Sequence, residues 1–289
     1  MHYVGNLIRP PSEADALILQ VTVGCPYNRC TFCGAYKDVP FQVKNAALLA
    51  DDLAQAQRAS TRWRRIFLAD GDVLALPQGQ LVEILATIGK TLPEIRRISL
   101  YGSARSVVAK GGDRLAELRR LGLDRIYLGL ESGCDEVLRL VNKGTSAGKM
   151  VQAGQLAREA GIFLSVTALL GLGGTRLAGQ HARRTAQVLR EMAPQQIALL
   201  TLMPIPGTPL AEEIENGEWQ LPGPPAILAE LEQILTGLEG VRCQFHANHA
   251  SSYLPLSGRL PRDREKLLTR VAAARQGELP LVPDYWRAL

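Results

Sequence analysis

The run Leu17–Val23, LILQVTV, passes almost directly into Cys25–Cys33, CPYNRCTFC. The first stretch is short, β-branched and nearly continuous in apolar residues, as a strand buried on both faces should be. The second gathers three of the five cysteines within nine residues, at spacing C-x₄-C-x₂-C. A thiol-rich loop straight after a first strand is where a metal or cluster site would sit.

Thiolates are soft ligands for zinc, copper(I) or iron–sulfur clusters. Structural zinc wants four tetrahedral protein ligands, usually in two close pairs. Here a fourth would have to come from Cys134, Cys243 or a histidine, all but His2 distant in sequence. Three thiolates on a four-iron cluster leave one iron open for a small molecule. Taken alone, the three cysteines allow a cluster, zinc or plain buried thiols.

The chain has 289 residues, 46% of them hydrophobic and only 5% aromatic, which predicts a largely aliphatic core. The net charge of +5 is too mild and dispersed to argue for nucleic acid. No apolar run approaches the roughly 18 residues of a membrane span, and no charged start plus apolar core marks export. Clustered cysteines suit a reducing compartment better than a disulfide framework. The expectation is a cytoplasmic monomer without membrane or nucleic-acid partners.

Taken in order, residues 1–16 form a lead-in laid over the first strand, where Pro10 and Pro11 forbid a regular element. Further strands are expected at 65–69, 95–101, 125–130, 163–170 and 196–203. Helices are expected at 45–59, 78–91, 112–121, 135–142, 147–160 and 178–192. Six strand-then-helix units require parallel pairing with right-handed crossovers, an α/β fold. Their polar and glycine-rich stretches fall at the carboxyl ends of the strands, the edge where such folds bind ligands. The division read from this is a lead-in over 1–16, a catalytic core over 17–210 and an extension over 211–289 that covers the core.

The cysteine stretch resembles the radical S-adenosylmethionine (SAM) superfamily, whose usual signature is C-x₃-C-x₂-C with an aromatic residue before the last cysteine. Phe32 holds that place, and Gly24, Pro26 and Thr31 are also similar. The departure is one extra residue between Cys25 and Cys30. The resemblance covers roughly Leu17 to Pro209 and implies a partial (β/α)₆ barrel, TIM-like, with Cys25, Cys30 and Cys33 on a [4Fe–4S] cluster. It implies that Asp70, Gly71 and Asp72 meet the amino group of SAM, with Ser103 ending the next strand nearby. Glu131, in GLESG, would hold the ribose, and Lys143 would pair with the methionyl carboxylate. Gly171 and Gly173 would let the backbone approach the adenine. PIPGTPL, with Pro206, resembles the pocket-closing segment of the methylthiotransferase and coproporphyrinogen-oxidase-like branches. Each has a plainer explanation: a solvated turn for Asp70–Asp72, a surface lysine for Lys143, a tight turn for the glycines.

Beyond residue 211 the stretch CQFHANHASSYLPL concentrates polar and aromatic residues. His246, His249 and Tyr253 are the candidate acid/base or substrate-positioning residues, since imidazole can move a proton near neutral pH. A capped loop with satisfied histidines is the alternative. Cys243 could quench a radical or ligate an auxiliary cluster; Cys134 reads as a small residue at a packed turn. A solvated helix over 262–275 and a loose tail to Leu289 complete the chain.

The resemblance implies reductive cleavage of SAM to a 5′-deoxyadenosyl radical that abstracts hydrogen from substrate. The electron would come from a flavodoxin- or ferredoxin-like donor, and the cluster would make the protein oxygen-sensitive. No appended cysteine-rich, cobalamin-binding or RNA-binding domain is visible, which leaves a small molecule, cofactor precursor or tetrapyrrole-like compound as substrate. The competing class is a non-catalytic zinc or iron–sulfur protein whose loop staples the fold or senses redox state. A barrel that has lost its cluster is a third.

Overall fold

Apolar runs of four to nine residues punctuated by polar turns build a parallel α/β fold in the computed structural model, which describes residues 1–59 and 63–288. The strands are β1 (Leu17–Gln20), β2 (Arg65–Ala69), β3 (Arg97–Tyr101), β4 (Leu123–Glu131), β5 (Phe163–Leu170), β6 (Gln196–Thr201), β7 (Cys243–Ala247) and β8 (Leu256–Leu260). The helices are α1 (Ala46–Arg58), α2 (Gln78–Thr91), α3 (Ala104–Arg120), α4 (Asp135–Leu140), α5 (Ala147–Glu159), α6 (Gly174–Met192), α7 (Pro209–Glu215), α8 (Pro224–Gly237) and α9 (Arg264–Arg275).

The chain divides into two compact units, residues 1–28, 35–128 and 156–164 in the first and 29–34, 129–155 and 165–289 in the second. In the first, β1 pairs with β2, β2 with β3 and β3 with β4, all parallel. Leu19, Ile66, Phe67 and Leu68 have no solvent exposure. Burying each such side chain stabilises by roughly 1.5–3 kcal/mol. Phe67, Tyr101 and Tyr127 meet edge-on, with centroids 5.2, 6.1 and 6.0 Å apart. In the second, β5 pairs parallel with β6 and β6 with β7, while β8 returns antiparallel on β7.

Several expected boundaries move. The first strand leaves its sheet after Gln20, and Thr22–Val23 pairs antiparallel with Gln42–Val43, a two-residue ribbon too short for periodicity to reveal. α3 begins directly after Ser103, eight residues before the expected start. Ser103 caps it by accepting Ser106 N–H at 3.1 Å, and Gly111 (φ 69°) is only a kink within it. The lead-in contains one 3₁₀ turn at Pro11–Glu13, because proline suits a first helical position. Two of its residues bond to β1: Tyr3 donates to Ile18 O, and Val4 exchanges two hydrogen bonds with the Gln20 side chain.

The C-terminal stretch departs most. CQFHA is strand β7, with Cys243, Phe245 and Ala247 buried and Gln244 and His246 half-buried, an alternation of period two. α9 buries Leu267, Val271 and Ala274 rather than standing free in solvent. The tail is tied down where a loose end was expected: Val282 N–H donates to Tyr253 O, and Arg287 stacks 3.7 Å over the Tyr253 ring. Leu289, the last residue of the expected extension, lies outside the described residues.

Candidate active site

The cysteine loop falls across the boundary of the two units. In the first, Cys25 is half-buried and follows Gly24 directly. Gly71 N–H donates to Gly24 O at 3.2 Å, and a Cβ on Gly71 would lie 2.9 Å from Cys25 Cβ. Glycine is therefore required there by close approach. Asn28 Nδ2 donates to Tyr36 O at 2.6 Å and braces the loop.

Asp70 and Asp72 are buried, with internal partners. Asp70 accepts from Gln20 Nε2 at 2.8 Å and from the Tyr36 hydroxyl at 3.2 Å. Burial raises its pKa above the ordinary carboxylate value, and the same burial, beside Asp70, raises that of the Tyr36 phenol. Asp72 accepts from Ser106 Oγ at 2.6 Å; its other oxygen has no partner, and burial again pushes the pKa up. Ser103 contributes as the helix cap and donates to Ser106 Oγ.

In the second unit, residues 29–34 carry Cys30, Phe32 and Cys33. Thr31 N–H donates to Val141 O at 3.0 Å, Leu210 N–H to Thr31 O at 3.1 Å, and Asn142 Nδ2 to Arg29 O at 3.0 Å. Cys33 N–H returns to Cys30 O at 3.3 Å. Phe32 packs against the buried cluster that includes Cys134, Val141, Leu202 and Leu210. The PIPGTPL segment closes on this loop, since a Cβ on Gly34 would meet Ile205 at 2.6 Å; Pro206 itself is exposed.

Lys143 places its ammonium 2.8 Å from Glu131 Oε1 and 5.8 Å over the Phe32 ring. Burial pulls its pKa down, but Glu131, Cys30 and Cys33 outweigh that and leave it raised. A fixed positive charge thus stands beside two thiols that must be thiolates to act as ligands. Glu131 has φ 61°, and Ser132 N–H donates to Leu130 O at 2.8 Å, a three-residue turn. A Cβ on Gly129 would collide with the Glu131 carboxylate.

Gly171 (φ 85°) donates its N–H to Glu230 at 2.9 Å, and a Cβ there would lie 2.8 Å from Ile227 Cδ1. Gly173 caps α6 against His181. Close packing of this turn accounts for both glycines within the second unit.

Of the expected acid/base residues, His246 Nδ1 lies 3.3 Å from Ser257 Oγ. His249 Nδ1 receives Ser251 N–H at 3.2 Å, so the ring is an acceptor at Nδ1 and carries its proton on Nε2. Burial lowers the pKa of both. Tyr253 donates its hydroxyl to Asp284 at 2.9 Å and serves the tail. Burial pushes the Cys243 thiol up to about 12 and so favours its protonated form.

Sequence reading overlooked Gln20, Tyr36, Ser106 and a buried His181–Glu230 pair. Gln20 was detectable as the polar interruption of an apolar strand, because a buried amide needs partners. His181 was detectable from its place on the Leu177–His181–Thr185–Val188 stripe of α6.

Among the described residues no three His, Cys, Asp or Glu side chains converge on one metal-ion position. Thiolates on a cubane bind separate irons, so they need not converge on a point. In the second unit Cys30 and Cys33 stand with Lys143 as an adjacent cation, and in the first Cys25 stands with the close-approach glycine Gly71; each of these, taken by itself, suits thiolate ligation.

Comparison with known proteins gives this arrangement its family. Residues 19–178 match the model of the radical SAM superfamily, and the chain belongs to it. Its enzymes bind a [4Fe–4S] cluster and S-adenosylmethionine. The chain is 28% identical over 169 residues to 4′-phospho-dehydrooxetanocin synthase of Priestia megaterium, covering 52% of this chain and 23% of that protein. It is 29% identical over 237 residues to radical S-adenosyl methionine domain-containing protein 1, mitochondrial, of Bos taurus, covering 78% and 51%. Its fold is similar to that of coproporphyrinogen III oxidase (HemN) of Escherichia coli, a radical SAM enzyme, with TM-score 0.62, 19% identity and coverage of 91% and 58%. This fold is the partial TIM-like barrel class expected from the resemblance. The chain spans only about a quarter to about half the length of these two curated relatives.

Proposed function

We propose that this chain is a radical SAM enzyme acting on a small molecule or cofactor precursor. Cys25, Cys30 and Cys33 are the cluster ligands in this reading. Lys143 receives the methionyl carboxylate of SAM, Glu131 accepts its ribose hydroxyls, and the backbone at Gly71 and Gly171–Gly173 admits its remaining groups. The observation that carries the reading is the part-buried Lys143–Glu131 ion pair set beside Cys30 and Cys33. A structural metal staple has no use for it, and the comparisons lend that alternative no support.

A cluster held by Cys25, Cys30 and Cys33 would supply the one-electron reduction of the SAM sulfonium on which hydrogen abstraction from the substrate would depend. This chain's residues orient the two cofactors and handle protons. His249, whose Nδ1 accepts Ser251 N–H and whose pKa burial lowers, is the favoured proton-handling group, with His246 of β7 as the second; the Tyr253 proton is already committed to Asp284. A flavodoxin- or ferredoxin-like protein is the electron donor, and the enzyme works as a cytoplasmic monomer. No helix among the described residues is long and apolar enough to cross a membrane.

The test is anaerobic reconstitution with iron and sulfide, followed by EPR of the reduced protein with and without SAM. A four-iron signal that shifts on SAM addition and is lost in Cys30→Ala is expected. Zinc without iron, or a signal indifferent to SAM, would sink the proposal.

A further inference from the structure

Glu131 is held in a conformation that a side chain other than glycine or asparagine rarely adopts, with φ 61° in a three-residue turn. Such a turn persists only if its surroundings hold it. The next residues are each anchored to α6. Ser132 Oγ lies 2.7 Å from His181 Nδ1 and accepts Cys134 N–H at 3.0 Å. Gly133 N–H donates to Thr185 Oγ1 at 2.9 Å.

His181 Nε2 lies 3.1 Å from both Leu169 O and Glu230 Oε1. Both are acceptors, so the ring proton sits on Nε2 and Nδ1 accepts the Ser132 hydroxyl. Glu230 Oε1 in turn accepts Gly171 N–H at 2.9 Å. Ser132, His181 and Thr185 have no exposure, and Glu230 only 3%. An apolar side chain of similar volume would fill this space as well. A polar relay adds direction, linking the end of β4 to the end of β5 through one imidazole of defined tautomer.

We infer that the buried His181–Glu230 pair is a positioning device that, through Ser132 and Gly171, holds the Glu131 turn and the glycine turn in the geometry that receives the adenosyl half of SAM. The inference rests on the reading of Glu131 and Gly171 proposed above. In this reading the pair acts through the two turns and not on the cofactor itself.

The experiment uses the full chain, reconstituted with its cluster, as wild type and as Ser132→Ala, His181→Leu, His181→Asn and Glu230→Leu. Three quantities are read: SAM affinity by equilibrium dialysis, amide hydrogen exchange across 131–134 and 171–174 without SAM, and iron content with thermal midpoint. Ser132→Ala and His181→Leu should weaken SAM binding about tenfold, the effect of one hydrogen bond, with iron content unchanged. Exchange at 132–134 should quicken by a similar factor, while Glu230→Leu should quicken 171–174 first. Asparagine offers an acceptor near the Nδ1 position, so His181→Asn should recover most of the affinity while leaving the Glu230 end loose. Wild-type exchange in both turns of folded Ser132→Ala and Glu230→Leu would overturn the inference. So would affinity losses that merely track the thermal midpoint and are not recovered by His181→Asn. If the wild type itself binds no SAM, the proposed function fails, and the exchange data still decide whether the pair holds the turns.

Discussion

Asp72 shows how a single residue can be placed against its own electrostatics. One carboxylate oxygen accepts from Ser106 and the other has no hydrogen-bond partner; burial outweighs Ser106 and the nearby groups of Ser103 and Ala75 and favours the protonated form. A carboxyl whose folded pKa is raised contributes most stability below its unfolded value and loses it as pH rises through the folded one. Asp72→Asn, neutral at every pH, is therefore expected to raise the stability of the protein by about 1 kcal/mol at pH 7.5. The gain should vanish below about pH 4, where both forms are uncharged. Thermal unfolding across that range checks the sign. Gly71 is the opposite case, fixed by space: Gly71→Ala puts a methyl 2.9 Å from Cys25 Cβ and 3.0 Å from Gly24 O. It should destabilise by about 1–3 kcal/mol, as overpacking does, and displace Cys25 enough to lower iron uptake on reconstitution. Thermal melts and iron assay report the two effects separately.

Individual elements owe their limits to caps and to buried faces rather than to composition. α7 starts where Thr208 accepts Ala211 N–H and donates to Ile205 O at 2.7 Å, so one hydroxyl both caps the helix and closes the PIPG turn. Thr208→Ala should lose about 1 kcal/mol, measurable by urea unfolding. α9 carries five arginine, lysine and glutamate side chains along its length and reads as solvated. Its apolar positions nevertheless form a stripe at Leu267, Val271 and Ala274 that is buried. Leu267→Ala should cost about 2–4 kcal/mol, whereas exposed Arg270→Ala should stay within about 0.5 kcal/mol. Equal, small effects from both would show that the helix does stand free.

At the scale of the whole molecule, each unit has its own buried apolar core, and neither core is built on the thiols of Cys25, Cys30 or Cys33. Removal of iron by anaerobic chelation should therefore leave far-UV and near-UV circular dichroism essentially unchanged while abolishing the response to SAM. A loop that staples the fold predicts the reverse, unfolding with metal loss. The linear chain determined the strand-and-helix succession, because burial of a strand on both faces demands continuous apolar runs and a parallel pair demands a long crossover. It also determined the cysteine constellation and the positions at strand ends, since ligand-binding residues of this fold collect there. The registers of Thr22–Val23 with Gln42–Val43 and of Gln244 with Gln196 were decided only by tertiary structure, as pairing partners far apart leave no local signal. Partner choice for buried polar groups was decided there too. Nothing in the spacing of Gln20, Tyr36 and Asp70, or of Ser132, His181 and Glu230, says which donor meets which acceptor; that follows from which surfaces are packed together and closed to water.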